Sequence, residues 1–227
     1  MNVFTWYWRQ DHRPIQYRPE HVQTLQSMVK RHLKIPHRFI CITETDIPNV
    51  DCIPPLPEME RVKNKRWGPH QPQCYRRLRM FDPAMKDALG DRYVQMDLDT
   101  VIVDDITPML DRPDDLVINR NIGKRQAYNG SMWLHTPGTY STIYSEFEPD
   151  KAIEASKKGF IGSDQAWFRY HLGDGAVPTW SQEDGSWQYR SFRHTGDTLP
   201  EGARIVFFAG PDKPWHFEYD WIKQHYC

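Results

Sequence analysis

The first 45 residues alternate between strand and helix patterns, and this alternation restricts the fold more than any other feature of the sequence. Residues 3–8 form an apolar, β-prone run, residues 21–33 carry apolar side chains at helical spacing, and residues 37–43 form a second apolar run. A helix between two strands joins them in parallel. We therefore predict an α/β protein with a mixed, mostly parallel sheet and helices on both faces.

Length and charge limit the classes of partner. The chain has 227 residues, so we predict a single domain over residues 1–227. The 29 basic and 30 acidic side chains give a net charge of −1, which offers no general attraction to nucleic acid. No apolar run approaches the ~18 residues of a membrane span, and the start lacks a secretory signal pattern. We expect a cytoplasmic protein with no nucleic-acid partner and no membrane span.

Residues 48–72 carry six prolines and no strand or helix pattern, which predicts a surface loop. The loop also holds a basic group, formed by Arg61, Lys63, Lys65 and Arg66. Long loops in folded domains often bind ligands. The sequence leaves open whether this one is a solvated excursion or a lid over an anionic ligand.

Two acids follow a strand in the middle of the chain. Residues 92–96 form an apolar run that leads into Asp97-Leu98-Asp99. The D-x-D spacing occurs by chance in a chain rich in aspartate, so its position is what matters. Ligands of open α/β sheets bind beyond the carboxyl ends of strands, and residues i and i+2 of an extended segment point to the same side. Asp97 and Asp99 are therefore predicted to share one Mn²⁺ or Mg²⁺ ion, together with water and diphosphate oxygens.

Two enzyme families place a D-x-D pair at a strand end. Haloacid-dehalogenase-type phosphatases use D-x-D-x-T, whereas Thr100 comes one position early here and the pair follows a complete strand–helix–strand unit. Glycosyltransferases with the GT-A fold use D-x-D to hold a metal ion against the diphosphate of a nucleotide sugar. The pair alone does not decide between them.

Near the end of the chain, residues 210–215 read G-P-D-K-P-W. This segment resembles the G-x-x-K-P-W segment that family 8 glycosyltransferases, including glycogenin-like enzymes, carry late in the catalytic domain. Gly210 would allow a close backbone approach, Lys213 offers a point cation to a diphosphate, and Pro214 stiffens the loop. The alternative is a turn followed by a buried Trp215.

Further segments agree with this family in order and approximate spacing. V-F-T-W resembles the strand beneath the nucleotide base and places Thr5 there, and C-Y-R-R-L-R-M-F resembles a helix whose basic residue falls on Arg77. Y-N-G-S, which contains Asn129, resembles the family's F-N-S-G segment, and G-S-D-Q resembles its D-Q pair at Asp164 and Gln165. The sequence also resembles small bacterial and phage glycosyltransferases.

The resemblance spans residues 3–216 and implies one GT-A-type catalytic domain. It implies transfer of a sugar, with retention of configuration, from a nucleotide-diphosphate donor, expected to be a UDP-sugar, to a glycan or other hydroxyl acceptor. The implied site residues comprise metal ligands, donor contacts and groups at the anomeric carbon. They are Asp97, Asp99 and His216 for the metal, Thr5, Arg77, Asp97, Asn129, Gly210 and Lys213 for the donor, and Asp164 and Gln165 for the anomeric carbon.

One departure from the family concerns the metal. A family histidine shortly before the glycine completes the metal site, but Phe207, Phe208 and Ala209 stand there instead. His216 would replace it, and water in the third position or a weak metal requirement is an equal alternative. The missing imidazole also leaves open a non-catalytic relative that binds a nucleotide or glycan.

Ser163 and Asp164 have a second interpretation, because residues 166–172 have helical character. Short polar residues at such a place are typical of a helix N-cap. Capping and a contact with the sugar are compatible roles, so both stay open.

Overall fold

The structure is a computed structural model that describes residues 1–8, 17–55, 74–122, 127–160 and 162–227. The basic group of the proline-rich loop lies outside the described residues and comprises Arg61, Lys63, Lys65 and Arg66. The strands are β1 (Asn2–Tyr7), β2 (Arg38–Thr43), β3 (Asp51–Ile53), β4 (Tyr93–Met96), β5 (Thr100–Ile102), β6 (Leu116–Arg120), β7 (Tyr128–His135), β8 (Thr179–Trp180), β9 (Ser186–Gln188) and β10 (Ile205–Phe207). The α-helices are α1 (Pro19–His32), α2 (Lys86–Leu89), α3 (Thr107–Leu110), α4 (Thr142–Ser145), α5 (Pro149–Lys157), α6 (Asp164–Leu172) and α7 (Asp220–His225).

Seven strands form the main sheet in the order β3-β2-β1-β4-β7-β6-β8. β2 pairs in parallel with both β1 and β3, whereas β6 and β7 are antiparallel, with an irregular register between Ile118 and Asn119. The predicted α/β fold with a mixed, mostly parallel sheet is therefore confirmed. The sequence did not predict the second sheet, in which β10 pairs antiparallel with β5 and parallel with β9.

The chain divides into two units by its internal contacts. The first unit comprises Met1–Pro54, Val94–Pro113 and Trp180–Cys227, and the second comprises Pro55–Tyr93 and Asp114–Thr179. The single domain over residues 1–227 stays a prediction.

The core of the first unit forms around α1. Its apolar stripe, which includes Leu25 and Met28, is fully buried, and the helix contacts β1 and β5. Fully burying one such side chain stabilises the fold by roughly 1.5–3 kcal/mol. Proline in the first turn and basic residues in the last turn suit the helix, because proline needs no amide partner there and cations favour the carboxyl end.

The core of the second unit is aromatic. Trp133 and Phe168 pack edge to face at 5.5 Å between ring centroids, and Phe81 lies 5.5 Å from Phe168. α6 contacts β7 and the helical segment Cys74–Phe81. That segment is a 3₁₀ helix, and six of its eight residues are buried. Tertiary packing therefore decides its geometry more than helix propensity does.

Residues 83–89 form a short helical segment, in which a 3₁₀ turn, Pro83–Met85, is followed by α2. Gly90 ends it with a φ of 79°, a conformation that favours glycine. None of the helices in the described ranges has the length and apolar composition required to cross a bilayer.

His135, at the end of β7, is fully buried. Its Nε2 lies 2.9 Å from the carbonyl oxygen of Thr139, and its Nδ1 lies 3.1 Å from the hydroxyl of Tyr93. Because a carbonyl oxygen only accepts, Nε2 carries the proton. Burial lowers the pKa of His135 from 6.5 to about 4, so its ring is neutral at pH 7.

We expect the free energy of unfolding to decrease as the pH falls from 6.5 towards 4, because the unfolded chain binds a proton at His135 in this range and the folded chain does not. The loss attributable to this residue reaches about 3 kcal/mol below pH 4. His135→Gln should flatten the pH dependence, which urea unfolding at pH 7 and pH 4.5 measures. Equal flattening by His194→Gln, which removes an exposed imidazole, would contradict burial as the cause.

Candidate functional site

The acid pair of the first unit follows β4 directly, as predicted. The backbone bends at Leu98 and Asp99, and the hydroxyl of Thr100 donates to the carbonyl oxygen of Asp97 at 2.7 Å. This bend replaces the extended geometry expected from the sequence, so strand alternation does not set the directions of the two carboxylates. Asp97 is half-buried, whereas Asp99 is only 8% exposed.

Lys213 is the direct partner of Asp99. Its Nζ forms an ion pair with Oδ2 of Asp99 and also donates to the carbonyl oxygen of Phe208 at 3.2 Å. The hydroxyl of Tyr17 donates to the same Oδ2 at 3.0 Å. Lys213 is 4% exposed, so two buried charges compensate each other.

The chain after β10 positions this lysine. The backbone amide of Phe208 donates to the carbonyl oxygen of Asp99 at 2.9 Å, which brings the segment to the acid pair. Gly210 has a φ of 81°, and no described atom lies within 4 Å of where its Cβ would stand. Its role here is therefore the left-handed turn rather than a close approach. The 3₁₀ turn Pro214–His216 follows.

Aromatic rings surround the ion pair. The His21 ring stacks on Trp215 with 3.8 Å between centroids, and Tyr17 meets Trp215 edge-on at 5.6 Å. Burial lowers the pKa of His21 to about 4, so this imidazole adds no charge at pH 7. Trp215 is half-buried, whereas the alternative interpretation expected a buried Trp215 after a turn.

Tyr226, which follows α7, is part of the same surroundings. Its ring lies 6.2 Å from that of Trp215, and its hydroxyl is buried without a hydrogen-bond partner in the described part of the chain. Burial raises the pKa of Tyr226, and the charge of Asp99 raises it further. The sequence carried no signal for Tyr17, His21 or Tyr226, because none of them belongs to a motif.

The donor set of the first unit does not fit the predicted Mn²⁺ or Mg²⁺ ion. Among the described residues, no three His, Cys, Asp or Glu side chains are grouped to hold a metal ion, and His216 is exposed. At the positions of the family histidine, Phe207 is buried and the ring of Phe208 stacks on Tyr189 at 4.6 Å. A divalent cation on Oδ2 of Asp99 would lie beside the lysine ammonium, which repels it and already neutralises this carboxylate.

A second polar cluster lies in the second unit. Arg77 Nη2 and Asp164 Oδ2 are 2.5 Å apart, and the two residues are 5% and 2% exposed. Arg77 and Asp164 were predicted for different parts of the donor, and the structure pairs them with each other. Ser163 does not cap α6, because its hydroxyl donates to Asp164 Oδ1, which also accepts from the amide of Gln165 at 2.9 Å.

β7 completes this cluster. The Gly130 amide lies 3.5 Å from Oε1 of Gln165, and Oδ1 of Asn129 accepts from the Ser131 amide at 2.8 Å. The structure thus brings together four of the predicted residues in the second unit, namely Arg77, Asn129, Asp164 and Gln165. Thr5 belongs to the first unit, where its buried hydroxyl donates to the carbonyl oxygen of Met96 at 2.9 Å.

Comparisons with known proteins identify the fold. No family model and no curated protein matches the sequence. The glycosyltransferase LgtC, solved as an active-site glutamine-to-glutamate variant, is similar over 97% of this chain and 91% of its own, with a TM-score of 0.62 and 14% identity. A second LgtC structure, named as a galactosyltransferase with donor and acceptor sugar analogs, covers 96% and 91% with a TM-score of 0.60 and 14% identity.

Two larger glycosyltransferases also match. GlyE of Streptococcus pneumoniae is similar over 94% of this chain and 55% of its own, with a TM-score of 0.59 and 16% identity. The bifunctional WbbM is similar over 98% of this chain and 48% of its own, with a TM-score of 0.61 and 13% identity. The chain therefore has the GT-A fold of these glycosyltransferases, as the sequence resemblance implied.

Gly130 lies at a position in the second cluster that leaves little room for a side chain. A Cβ there would lie 3.0 Å from both carboxylate oxygens of Asp164 and 3.1 Å from Nη2 of Arg77. We expect Gly130→Ala to lower the free energy of unfolding by about 1–3 kcal/mol, because the ion pair has to move. Urea denaturation measures this, and the penalty should shrink in an Asp164→Ala background, where the methyl group has room. An equal penalty in both backgrounds would contradict the steric explanation.

Proposed function

We propose that the protein is a glycosyltransferase that moves a sugar from a nucleotide-diphosphate donor, expected to be a UDP-sugar, to a hydroxyl acceptor. One observation carries this proposal: Lys213 of the K-P-W segment contacts Asp99 of the D-x-D pair across 114 residues of sequence. Two motifs that matched by chance would have no reason to meet in the fold. Their contact supports a common role in binding one substrate.

The transfer makes one bond and breaks one. The acceptor oxygen bonds to the anomeric carbon, the bond from this carbon to the diphosphate breaks, and the electron pair leaves on the diphosphate. The acceptor proton passes to the departing diphosphate, so atoms and charge balance. Negative charge on the leaving group grows during this step, and the ammonium of Lys213 would stabilise it more in the transition state than in the ground state. Retention of configuration is part of the proposal through the family resemblance.

The other predicted site residues are assigned roles according to the cluster in which they lie. In the first unit, Thr5 would lie beneath the base, Asp97 would accept from the ribose, and Gly210 would shape the loop at the diphosphate. In the second unit, Asn129, Asp164 and Gln165 would contact the sugar. The naming of an active-site glutamine in LgtC supports Gln165 for the anomeric carbon. Arg77 neutralises buried Asp164, which makes positioning of that carboxylate its first role.

The sequence prediction adds Mn²⁺ or Mg²⁺ to this reaction, with Asp97, Asp99 and His216 as ligands. Asp97 and Asp99 offer carboxylate oxygens of the kind that such ions prefer. The described residues supply no third His, Cys, Asp or Glu side chain for such an ion, and the Asp99 carboxylate already has a cation. The proposed transfer therefore contains no step through a metal ion.

A second candidate function is that of a non-catalytic relative that binds a nucleotide or glycan. The observation in its favour is that Phe207, Phe208 and Ala209 stand where the family has a histidine. A chain of this kind would bind UDP and turn over no donor.

We expect the purified protein to release nucleotide from at least one donor in a panel of UDP- and GDP-sugars assayed with and without Mn²⁺. Gln165→Ala should lower kcat about 10²–10³-fold, because it removes a polar contact proposed at the reacting carbon. Gln224→Ala, which removes an exposed glutamine from α7, is the matched control and should leave the rate unchanged. No turnover of any donor by the wild type, together with UDP binding, would favour the non-catalytic relative.

A further inference from the structure

The surroundings of Asp99 contain two hydrogen-bond donors that lack an acceptor. Of the three N–H groups of Lys213, one meets Asp99 and one meets the carbonyl oxygen of Phe208. The third has no oxygen acceptor among the described residues; the ammonium lies 5.5 Å from the centroid of the Tyr17 ring, and this lysine is 4% exposed. A buried ammonium normally saturates its donors, because each missing hydrogen bond costs stability.

Tyr226 supplies the second such donor. Its hydroxyl is buried, and it has no hydrogen-bond partner in the described ranges. The ring of Tyr226 lies 6.2 Å from that of Trp215, and Trp215 in turn meets Tyr17, whose hydroxyl donates to Asp99, so Tyr226 belongs to the surroundings of Asp99. Native proteins rarely leave buried polar groups unpaired, and an exception calls for an explanation such as a missing ligand. A ligand that satisfies both donors has to present acceptor oxygens, and diphosphate oxygens meet this requirement.

Two neighbouring features suit an anionic ligand without a metal ion. The hydroxyl of Tyr17 donates to Asp99 Oδ2 and so helps to hold this carboxylate in place beside the lysine. The imidazole of His21 is neutral at pH 7 and presents a ring stacked on Trp215, not a charge. Among the described residues, Lys213 is the cation that pairs with Asp99, and Asp99 serves as its anchor.

We propose that Lys213, anchored by Asp99, and the hydroxyl of Tyr226 together form a diphosphate subsite that works without a divalent cation. The inference rests on the proposed function, and it adds Tyr226 as a donor-binding residue and a protein ammonium in the place of the metal ion. Lys213 supplies charge to the departing diphosphate, and Tyr226 supplies a neutral hydrogen bond. The bonds made and broken in the transfer are unchanged.

The test uses the full chain in EDTA, with inorganic pyrophosphate and UDP as probes in titration calorimetry. We expect both probes to bind without a divalent cation. Tyr226→Phe should weaken pyrophosphate binding about tenfold, because one hydrogen bond to a charged group is lost.

The same variant should unfold at an unchanged or higher urea concentration, since the hydroxyl that it removes has no partner. If the hydroxyl had a structural role, its removal would instead lower the urea concentration at which the protein unfolds. Tyr140→Phe, which removes an exposed hydroxyl, should change neither quantity.

A different variant is required to test the role of Lys213 in binding. Lys213→Gln alone leaves Asp99 buried without its cation and is expected to destabilise the fold. Lys213→Gln combined with Asp99→Asn removes both charges and keeps an amide pair of similar size. This double variant should fold, and it should lose pyrophosphate binding by about 100-fold or more. Retained binding would contradict the role of the lysine.

Manganese provides an independent readout. The electron paramagnetic resonance signal of free Mn²⁺ should stay unchanged when wild-type protein is added. A signal that the wild type quenches and Asp99→Asn restores would overturn the inference, as would probes that bind only with Mn²⁺ or not at all. Transfer that requires Mn²⁺ would support the proposed function and overturn the inference. Metal-free binding through Lys213 and Tyr226 without any transfer would support the inference and overturn the proposed function.

Discussion

The buried ion pair between Asp99 and Lys213 is the interaction on which the first unit's polar site depends. Each of these charges is costly to bury alone, and each compensates the other. The pair holds the turn after β4 against the segment after β10, and the backbone bond from the Phe208 amide to Asp99 supports the same contact. The tyrosine hydroxyls and the stacked ring of His21 are then placed around a site whose cation is already part of the chain.

The second unit also contains a buried acid whose charge is compensated by a basic side chain. Asp164 is almost fully buried at the start of α6, and Arg77 reaches it from a 3₁₀ helix that is itself buried. Gly130 leaves the room for this pair on β7, which explains why the sequence has glycine where its neighbours are larger. Gln165, beside the pair, is the polar side chain proposed to contact the sugar. Both clusters thus combine a neutralised buried acid with adjacent hydrogen-bonding groups.

Part of the order of elements was predictable, because hydrophobic periodicity survives in the folded chain; β3 was not, since it lies within the loop predicted over residues 48–72. The strand–helix–strand start, the strand before Asp97 and the helix after Asp164 were all expected, with ends shifted by a few residues. The 3₁₀ form of Cys74–Phe81 and the sheet of β5, β9 and β10 were not expected. Both depend on contacts between residues far apart in sequence, which a local pattern does not contain. Tyr226 was missed for the same reason.

The sequence by itself determined the fold class and the identity of the polar groups, because apolar spacing and local motifs are properties of neighbouring residues. It named Asp99, Lys213, Arg77 and Asp164 without stating which of them would meet. Only the tertiary structure decided that Lys213 pairs with Asp99 and Arg77 with Asp164, and that no third His, Cys, Asp or Glu side chain joins the two aspartates among the described residues. Burial is the physical reason, since a charge removed from water must find its partner within the fold.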